Sequence, residues 1–548
     1  MRQACNVLLI YPRFDNPSFW DLNAVCETTG RRRISPPLGL ITVAALLPPD
    51  WSIRLIDHNA EEIRDSDLDW ADLVMTGGMI PQQPDALRIV RLCNAHGKPV
   101  AVGGPDVTSS PHAYADADFR VIGEAEAVMD EFVRVWNAGS RKGDFEAEKF
   151  KTDVTTSPTP RFDLLKPGFY VDINIQFSRG CPFTCEFCDI IELYGRVPRT
   201  KTTEQMLAEL DALYALGHAS SVVFVDDNLI GNKKAVKAFL PHLSEWQKRH
   251  GYPFTLTTQA SINLADDDAL LAMMREANFC MVFIGIETPD DDALVSALKK
   301  QNARRNLADC IHKIYRSGMA VTAGFILGFD GEKSSLAEQM VDCIEAADIP
   351  MCMVGLLTAL PQTQLTRRLR REGRLHADPD SSLFDATQGG DQCTHGLNFE
   401  TSRPRRDILR DYRSVLRRIY EPAAYFERVR ASSRVLNPPR HKRKLRADVV
   451  LDDLRSFGRF IWQVSVRRPE LAKHCWLTLL DCVLRNPAAV RQTVIQMMVY
   501  LHVGPFANYV VDRLDQQLAL PDDDALHTFA AADTSVQAGV AKAVAAAR

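Results

Sequence analysis

Residues 6–11 make a largely apolar run, and shorter runs recur at 53–57, 73–76, 99–102 and 119–122, with helical stretches such as 38–47 and 83–95 between them. Short apolar runs bounded by turn formers read as strands, and strands alternating with helices predict a parallel, doubly wound sheet. A polar, proline-containing stretch follows, with Thr155-Thr156-Ser157-Pro158-Thr159-Pro160 at its centre, and reads as a linker. The alternation then resumes, with strands expected at 173–177, 221–224, 254–258, 281–286, 321–326 and 353–357. Six such units predict a partial or complete βα (TIM-like) barrel with its functional groups at the C-terminal strand ends. Beyond about residue 369 the strand signal fades, and 405–430 and 447–507 read as helices punctuated by Pro438-Pro439, Pro469 and Pro487. The chain is therefore expected to be α/β, with a Rossmann-like first domain at 1–146, a linker at 147–167, a barrel at 168–370 and a helical region at 371–548. The Ala- and Asp-rich end beyond residue 522 is expected to form a short helix or a frayed tail.

Composition narrows the classes. A chain of 548 residues exceeds one hydrophobic core. Its 46% hydrophobic and 25% charged residues are ordinary soluble-globular values, and a net charge of -5 gives no general attraction to nucleic acid. The opening residues lack the architecture of a secretory leader, so a cytoplasmic protein is expected. The most apolar late stretch, 476–511, is interrupted by Asp481, Arg485, Arg491 and His502 and offers no unbroken run of about 20 apolar residues to span a bilayer. Peripheral membrane contact stays open. The basic runs 367–374 and 440–446 suit an anionic lipid surface, although basic runs on helices are more commonly solvated faces, and no nucleic-acid motif accompanies them.

Thirteen cysteines without an export signal argue for reduced thiols, and ten of them are scattered as small buried hydrophobes. The other three form Gly180-Cys181-Pro182-Phe183-Thr184-Cys185-Glu186-Phe187-Cys188, directly after the first barrel strand. Three thiolates on one loop suit three irons of a [4Fe-4S] cluster, leaving the fourth iron open. Zinc is the competing reading, but structural zinc wants four closed ligands and no evident fourth lies nearby. Paired glycines end strands of the first domain, Gly77-Gly78 and Gly103-Gly104, with Gly123-Glu124 after another. Ligands of open α/β sheets bind at such edges, yet any tight strand-to-helix turn also uses glycine.

Cys-x3-Cys-x2-Cys after the first barrel strand resembles the signature of the radical S-adenosylmethionine enzymes. The resemblance implies that Cys181, Cys185 and Cys188 hold the cluster and that Phe187 packs near the adenine of S-adenosylmethionine. It further implies that the open iron chelates that co-substrate, whose cleavage yields a 5'-deoxyadenosyl radical, with the electron coming from a reductant such as a flavodoxin or ferredoxin. Asp226 and Asp227 after the second strand, Gln259 and Ser261 after the third, Gly285-Ile286-Glu287-Thr288 and 324–330 then fall where the family binds its co-substrate. Pro36-Pro37-Leu38-Gly39, Gly103-Gly104-Pro105 and Gly123-Glu124-Ala125-Glu126 look like the cobalamin-binding domain that precedes many such barrels. That places cobalamin at Gly77, Gly78, Gly103, Gly104, Gly123 and Glu124. The Asp-x-His-x-x-Gly pattern that supplies a lower ligand elsewhere is missing, and His58 has the wrong spacing, so cobalamin without a histidine ligand is expected. Residues 189–201, 360–363 and 412–428 are similar to a subgroup containing hopanoid C-2 methylases.

The resemblance implies methylation of an unactivated carbon of a small molecule or lipid, with one S-adenosylmethionine methylating the cobalamin and another supplying the radical. Radical cyclisation or rearrangement without net methylation uses the same cofactors. A non-catalytic cobalamin and iron-sulfur sensor is the reading from another class. A methylthiotransferase fits poorly on Cys5, Cys26 and Cys93, because Cys5 precedes the first strand instead of ending it and the helical C-terminal region does not resemble the β-rich RNA-binding domain of those enzymes.

Overall fold

The computed structural model describes residues 4–217, 220–332, 334–377, 393–394, 396–441 and 447–520. The tail beyond 522 and most of the second basic run, 442–446, lie outside the described residues.

The first sheet contains β1 (Asn6–Tyr11), β2 (Ser52–Asp57), β3 (Leu73–Gly77), β4 (Val100–Gly103), β5 (Phe119–Ile122) and β6 (Gly143–Glu146), ordered β2-β1-β3-β4-β5-β6 with every pair parallel. Val7, Leu8, Leu9 and Ile10 are all buried, Val7 and Leu9 in one apolar cluster and Leu8 and Ile10 in another. A strand covered on both faces needs apolar residues at every position, which is why β1 reads as a run and not as an alternation. The order reverses between β1 and β3, the crevice position of doubly wound sheets.

The second sheet contains β7 (Ile173–Ile175), β10 (Ser221–Phe224), β11 (Thr255–Ala260), β12 (Phe279–Glu287), β13 (Ala320–Leu327) and β14 (Cys352–Leu356), again all parallel. β7 and β14 are its two edges, so the barrel is partial. A two-stranded antiparallel ribbon, β8 (Ser178–Arg179) with β9 (Arg199–Thr200), frames the loop that leaves β7. The linker is packed, with Val154 and Phe162 buried on 3-10 turns.

Helices Arg405–Ile419, Pro422–Val435, Ala447–Trp462, Pro469–Arg485 and Val490–Ala519 follow. Tyr412 donates its hydroxyl to the Val354 carbonyl (2.9 Å), and Arg428 Nε donates to the Ile349 carbonyl (2.8 Å), so the first two helices brace β14. Segment 487–519 is long and apolar enough to cross a membrane by length and composition, a property not expected from the sequence; 61% of its most apolar window is buried inside the protein. The basic run 367–374 is partly solvated, with Arg367, Arg370 and Arg371 exposed, and partly drawn into ion pairs. Arg367 pairs with Glu192 (2.6 Å), Arg368 with Glu186 and Asp330 (2.8 Å each), and Arg374 with Asp330 (2.6 Å).

The C-terminal strand edges of the two sheets meet. Arg179 and Arg199, cross-strand partners in the β8–β9 ribbon, both reach Glu124 just beyond β5 (3.0 and 2.7 Å), and Arg179 also takes Glu126 (2.7 Å). The three side chains around Arg179 are nearly sealed from water, so this interaction must be fully paired to be tolerated. Burial alone would push the Glu126 carboxyl up; the hydrogen bonds and charge of Arg179, with Ser157, outweigh it and hold it at about 2. Gln362, after β14, donates to the Ser109 carbonyl (2.7 Å) across the same junction.

Replacing Arg179 with Ala strands the buried Glu126 carboxylate and leaves Glu124 with Arg199 alone, and is expected to cost roughly 3–5 kcal/mol in denaturant or thermal unfolding. A depressed carboxyl stabilises the fold above its unfolded pKa, so in the native protein this contribution should fade as pH falls from about 4.3 toward about 2. The variant should lack that acid-side loss.

Candidate active site

The cysteine loop exists because the chain turns sharply out of β7. Phe177 N–H (3.0 Å), Ser178 N–H (2.5 Å) and Ser178 Oγ–H (2.6 Å) all donate to the fully buried Asp226 carboxylate beyond β10. Burial pushes the Asp226 carboxyl up to about 6, against the pull of those hydrogen bonds. Asp226, expected at the co-substrate, has both oxygens taken by donors of the turn. Gly180 follows at φ 97°, and a Cβ there would lie 2.9 Å from the Gly195 carbonyl oxygen, so only glycine fits. Glu186, inside the loop, is clamped by Arg368 from helix Gln364–Glu372, with the Leu365 N–H on its carbonyl (2.7 Å).

Cys181, Cys185 and Cys188 stand on this loop, Cys185 buried and the others partly so. Burial pushes all three thiols up, and the charge of Cys185 raises both neighbours further, so the three sulfurs are close enough to feel one another. Opposing groups surround them. Asn228 Nδ2 approaches the Cys181 sulfur (3.9 Å) and Gln301 Nε2 the Cys185 sulfur (3.6 Å), while Lys299 lowers the Cys185 thiol electrostatically. Among the described residues no group of three or more His, Cys, Asp or Glu side chains is placed to hold a metal ion. Three thiols on one loop suit three irons of a [4Fe-4S] cluster.

The strand ends around the loop differ in what they leave available. Asp227 Oδ2 is buried without a hydrogen-bond partner, and burial, with Asp226 and Asp189 nearby, pushes this carboxyl up to about 7. Ser261 donates from its N–H to Asn228 Oδ1 (3.2 Å), which turns the Asn228 amide toward Cys181, while its hydroxyl lies between Asn263 Oδ1 (2.6 Å) and Asn228 Oδ1 (3.3 Å). Ser261 thus lies one step behind the sulfur. Gln259 is partly exposed and sits level with Phe283 on β12, on the inward face with Thr257. Glu287, in left-handed backbone at φ 69°, forms a buried pair with Lys299. Burial alone would discharge Lys299; Glu287 and the cysteines hold its pKa above the ordinary lysine value. Phe187 packs edge-on against Phe329 (5.6 Å) beneath Lys299.

At the first-sheet edge, a Cβ on Gly77 would lie 2.4 Å from the Gly103 carbonyl oxygen, and Gly104, at φ 94°, abuts Gly78. Close backbone approach between β3 and β4 accounts for these glycines, with Gly123 beside them after β5. Glu124, expected at cobalamin, likewise has both oxygens on Arg179 and Arg199. His58, at the end of edge strand β2, is held by Asp85 (2.7 Å), as suits a turn histidine. Lys299, Gln301, Arg179 and Arg199 were not singled out from the sequence. No motif marks them, and only the fold brings them to the loop.

Residues 175–344 match the model of the radical SAM superfamily, and residues 363–516 match a domain of unknown function. An uncharacterized methyltransferase of Synechocystis sp. is 41% identical over 513 residues, 93% of this chain and 94% of that protein. The hopanoid C-2 methylase of Rhodopseudomonas palustris is 37% identical over 442 residues, 79% of this chain and 81% of the relative. The solved structure of the cobalamin-dependent S-adenosylmethionine radical enzyme OxsB superposes with a TM-score of 0.57 at 15% identity, covering 96% of this chain and 83% of that one.

A raised carboxyl destabilises the fold between its unfolded and folded pKa values and above them. In the cofactor-free protein, Asp227→Asn should therefore raise the melting temperature by a few degrees near pH 8, with the gain shrinking toward about pH 4. An unchanged profile across that range would show Asp227 to be solvated.

Proposed function

The chain belongs to the radical SAM superfamily, and from that premise we propose that it is a cobalamin-dependent methyltransferase acting on an unactivated carbon of a small molecule or lipid. The observation that carries this reading is the loop of Cys181, Cys185 and Cys188, held between two sheets whose ligand-binding edges face each other, in a chain similar along most of its length to proteins named as methyltransferases.

In this reading the three cysteines hold the [4Fe-4S] cluster, and the first-sheet edge around Gly77, Gly78, Gly103, Gly104 and Gly123 receives cobalamin. That edge presents main chain and glycine over a broad stretch, which suits a large planar ligand, and it supplies no histidine to the metal. When bound, the cluster supplies the electron that cleaves S-adenosylmethionine and cobalamin supplies the methyl group. A reductant such as a flavodoxin or ferredoxin delivers the electron. The functional units are 1–146, 168–370 and 371–548, joined by 147–167.

The residues of the chain divide the remaining work. Asn228, Gln301 and Lys299 offset negative charge on the sulfurs, with Ser261 orienting Asn228 and Glu287 holding Lys299. Asp227 keeps an unpaired oxygen for the cationic end of the co-substrate, and Phe187 offers it an aromatic surface. The inward strand positions Gln259, Phe283, Thr322, Ile326 and Met353 wall the interior, with Trp20 against Phe283 at 5.5 Å. Mostly apolar walls favour a substrate of low polarity and keep water from a reactive radical.

Reconstituted, reduced protein given cobalamin and S-adenosylmethionine is expected to release both 5'-deoxyadenosine and S-adenosylhomocysteine, measured by mass spectrometry. The Cys185→Ala variant should form neither and should lose the visible absorbance of the cluster. Deoxyadenosine without S-adenosylhomocysteine would overturn methyl transfer in favour of a radical reaction without net methylation. Cluster and cobalamin bound with neither product, candidate substrates included, would favour a sensor.

A further inference from the structure

Ten of the seventeen large hydrophobic side chains exposed among the described residues fall between Val450 and Leu484. They belong to helix Ala447–Trp462, its continuation Gln463–Arg467, and helix Pro469–Arg485. On the last, Leu471, Cys475, Thr478 and Cys482 face inward, while Trp476, Leu480 and Leu484 stand outward at helical spacing, Leu484 at 73% exposure. On the first, Leu454 (62% exposed) and Trp462 continue into Val466. Solvent-exposed helices normally place polar groups at such positions. A clustered apolar surface of this kind marks an interaction site.

The charges around it identify the partner. Arg467 lies over the Trp462 ring (4.7 Å), and Arg455, Arg459, Lys473 and Arg485 are exposed along the same helices. The nearby carboxylates are matched: Asp452 to Arg31 (3.1 Å), Glu470 to Arg468 (2.6 Å), Asp481 to Arg434 and Arg485 (2.9 Å each). Lys473 has no carboxylate partner among the described residues. From 447 to 485 there are six Lys or Arg against five Asp or Glu, in a protein whose overall charge is -5. Exposed cations left unmatched beside the apolar face, Lys473 among them, are neutralised by an anionic lipid surface and not by a second copy presenting the same face. Tryptophan and leucine on one face with cations beside them is the pattern of helices that lie in a membrane interface.

We propose that this helical hairpin docks the protein onto an anionic lipid bilayer, lying in its surface without crossing it. The hairpin packs on helix Asn23–Thr29, where Arg459 Nη1 meets the Thr28 carbonyl (3.4 Å) and the Thr28 hydroxyl meets Gln463 Oε1 (3.1 Å). A few residues earlier Trp20 lies against Phe283 of the barrel interior. The hairpin is thereby linked, through helix Asn23–Thr29, to the segment whose Trp20 reaches the proposed substrate chamber. Docking is independent of the reaction, since it is read without turnover.

The test is flotation of the full-length protein with vesicles of phosphatidylcholine alone or mixed with phosphatidylglycerol, alongside light scattering. Wild type is expected to float with the anionic vesicles, less at high salt. Trp476→Glu with Leu480→Glu should reduce the bound fraction by roughly tenfold or more while circular dichroism and melting stay unchanged, because both positions are exposed. Lys473→Glu should weaken binding to anionic vesicles only. Absence of flotation, or flotation indifferent to the double substitution, would overturn the proposal. So would a dimer that the double substitution dissociates without any vesicle binding, which would assign the surface to a second copy.

Discussion

The guanidinium of Arg179 sets the relation between the two halves of the molecule. It stands two residues before Cys181, in the ribbon that launches the cysteine loop, and it is gripped by Glu124 and Glu126 from the far end of the first sheet. A charge this deeply buried is tolerated only with its partners in place. The loop consequently has one position relative to the strand ends opposite. The same contact fixes the width of the space between the sheets, which a large planar cofactor must share with the co-substrate.

Neighbouring carboxylates show how the fold divides similar residues between building and chemistry. Asp226 and Asp227 are adjacent, the first buried and the second partly so, and burial pushes both carboxyls up. Asp226 spends itself on three donors of the β7 turn, while Asp227 keeps a buried oxygen that no group among the described residues satisfies. An unsatisfied buried carboxylate costs stability and persists where a ligand completes it. Ser261 and Glu287 follow the first pattern, acting through Asn228 and Lys299.

Much of this was legible in the sequence where the signal is local. The two-faced burial of β1 forces an apolar run, the cysteine loop lies within eight residues, and Gly180 announces a turn. What stayed hidden depends on partners distant along the chain. Glu124 looks like a cofactor ligand until the fold supplies Arg179 and Arg199, and the basic run at 367–374 looks like surface alone until Glu186, Glu192 and Asp330 arrive. β6 escaped notice because Phe145 is its only buried residue, too little pattern for an edge strand. The adjacent Asp226 and Asp227 could not be told apart from their spacing, since only hydrogen bonds separate them.

Arg368 gives the cysteine loop a dependence on time. The loop and its three thiols are synthesised well before helix Gln364–Glu372, and the clamp on Glu186 can close only after that helix has formed and docked. On the growing chain the thiols therefore precede the brace that finally immobilises them. The final geometry of the cysteine loop is in this way coupled to completion of the polypeptide as far as helix Gln364–Glu372.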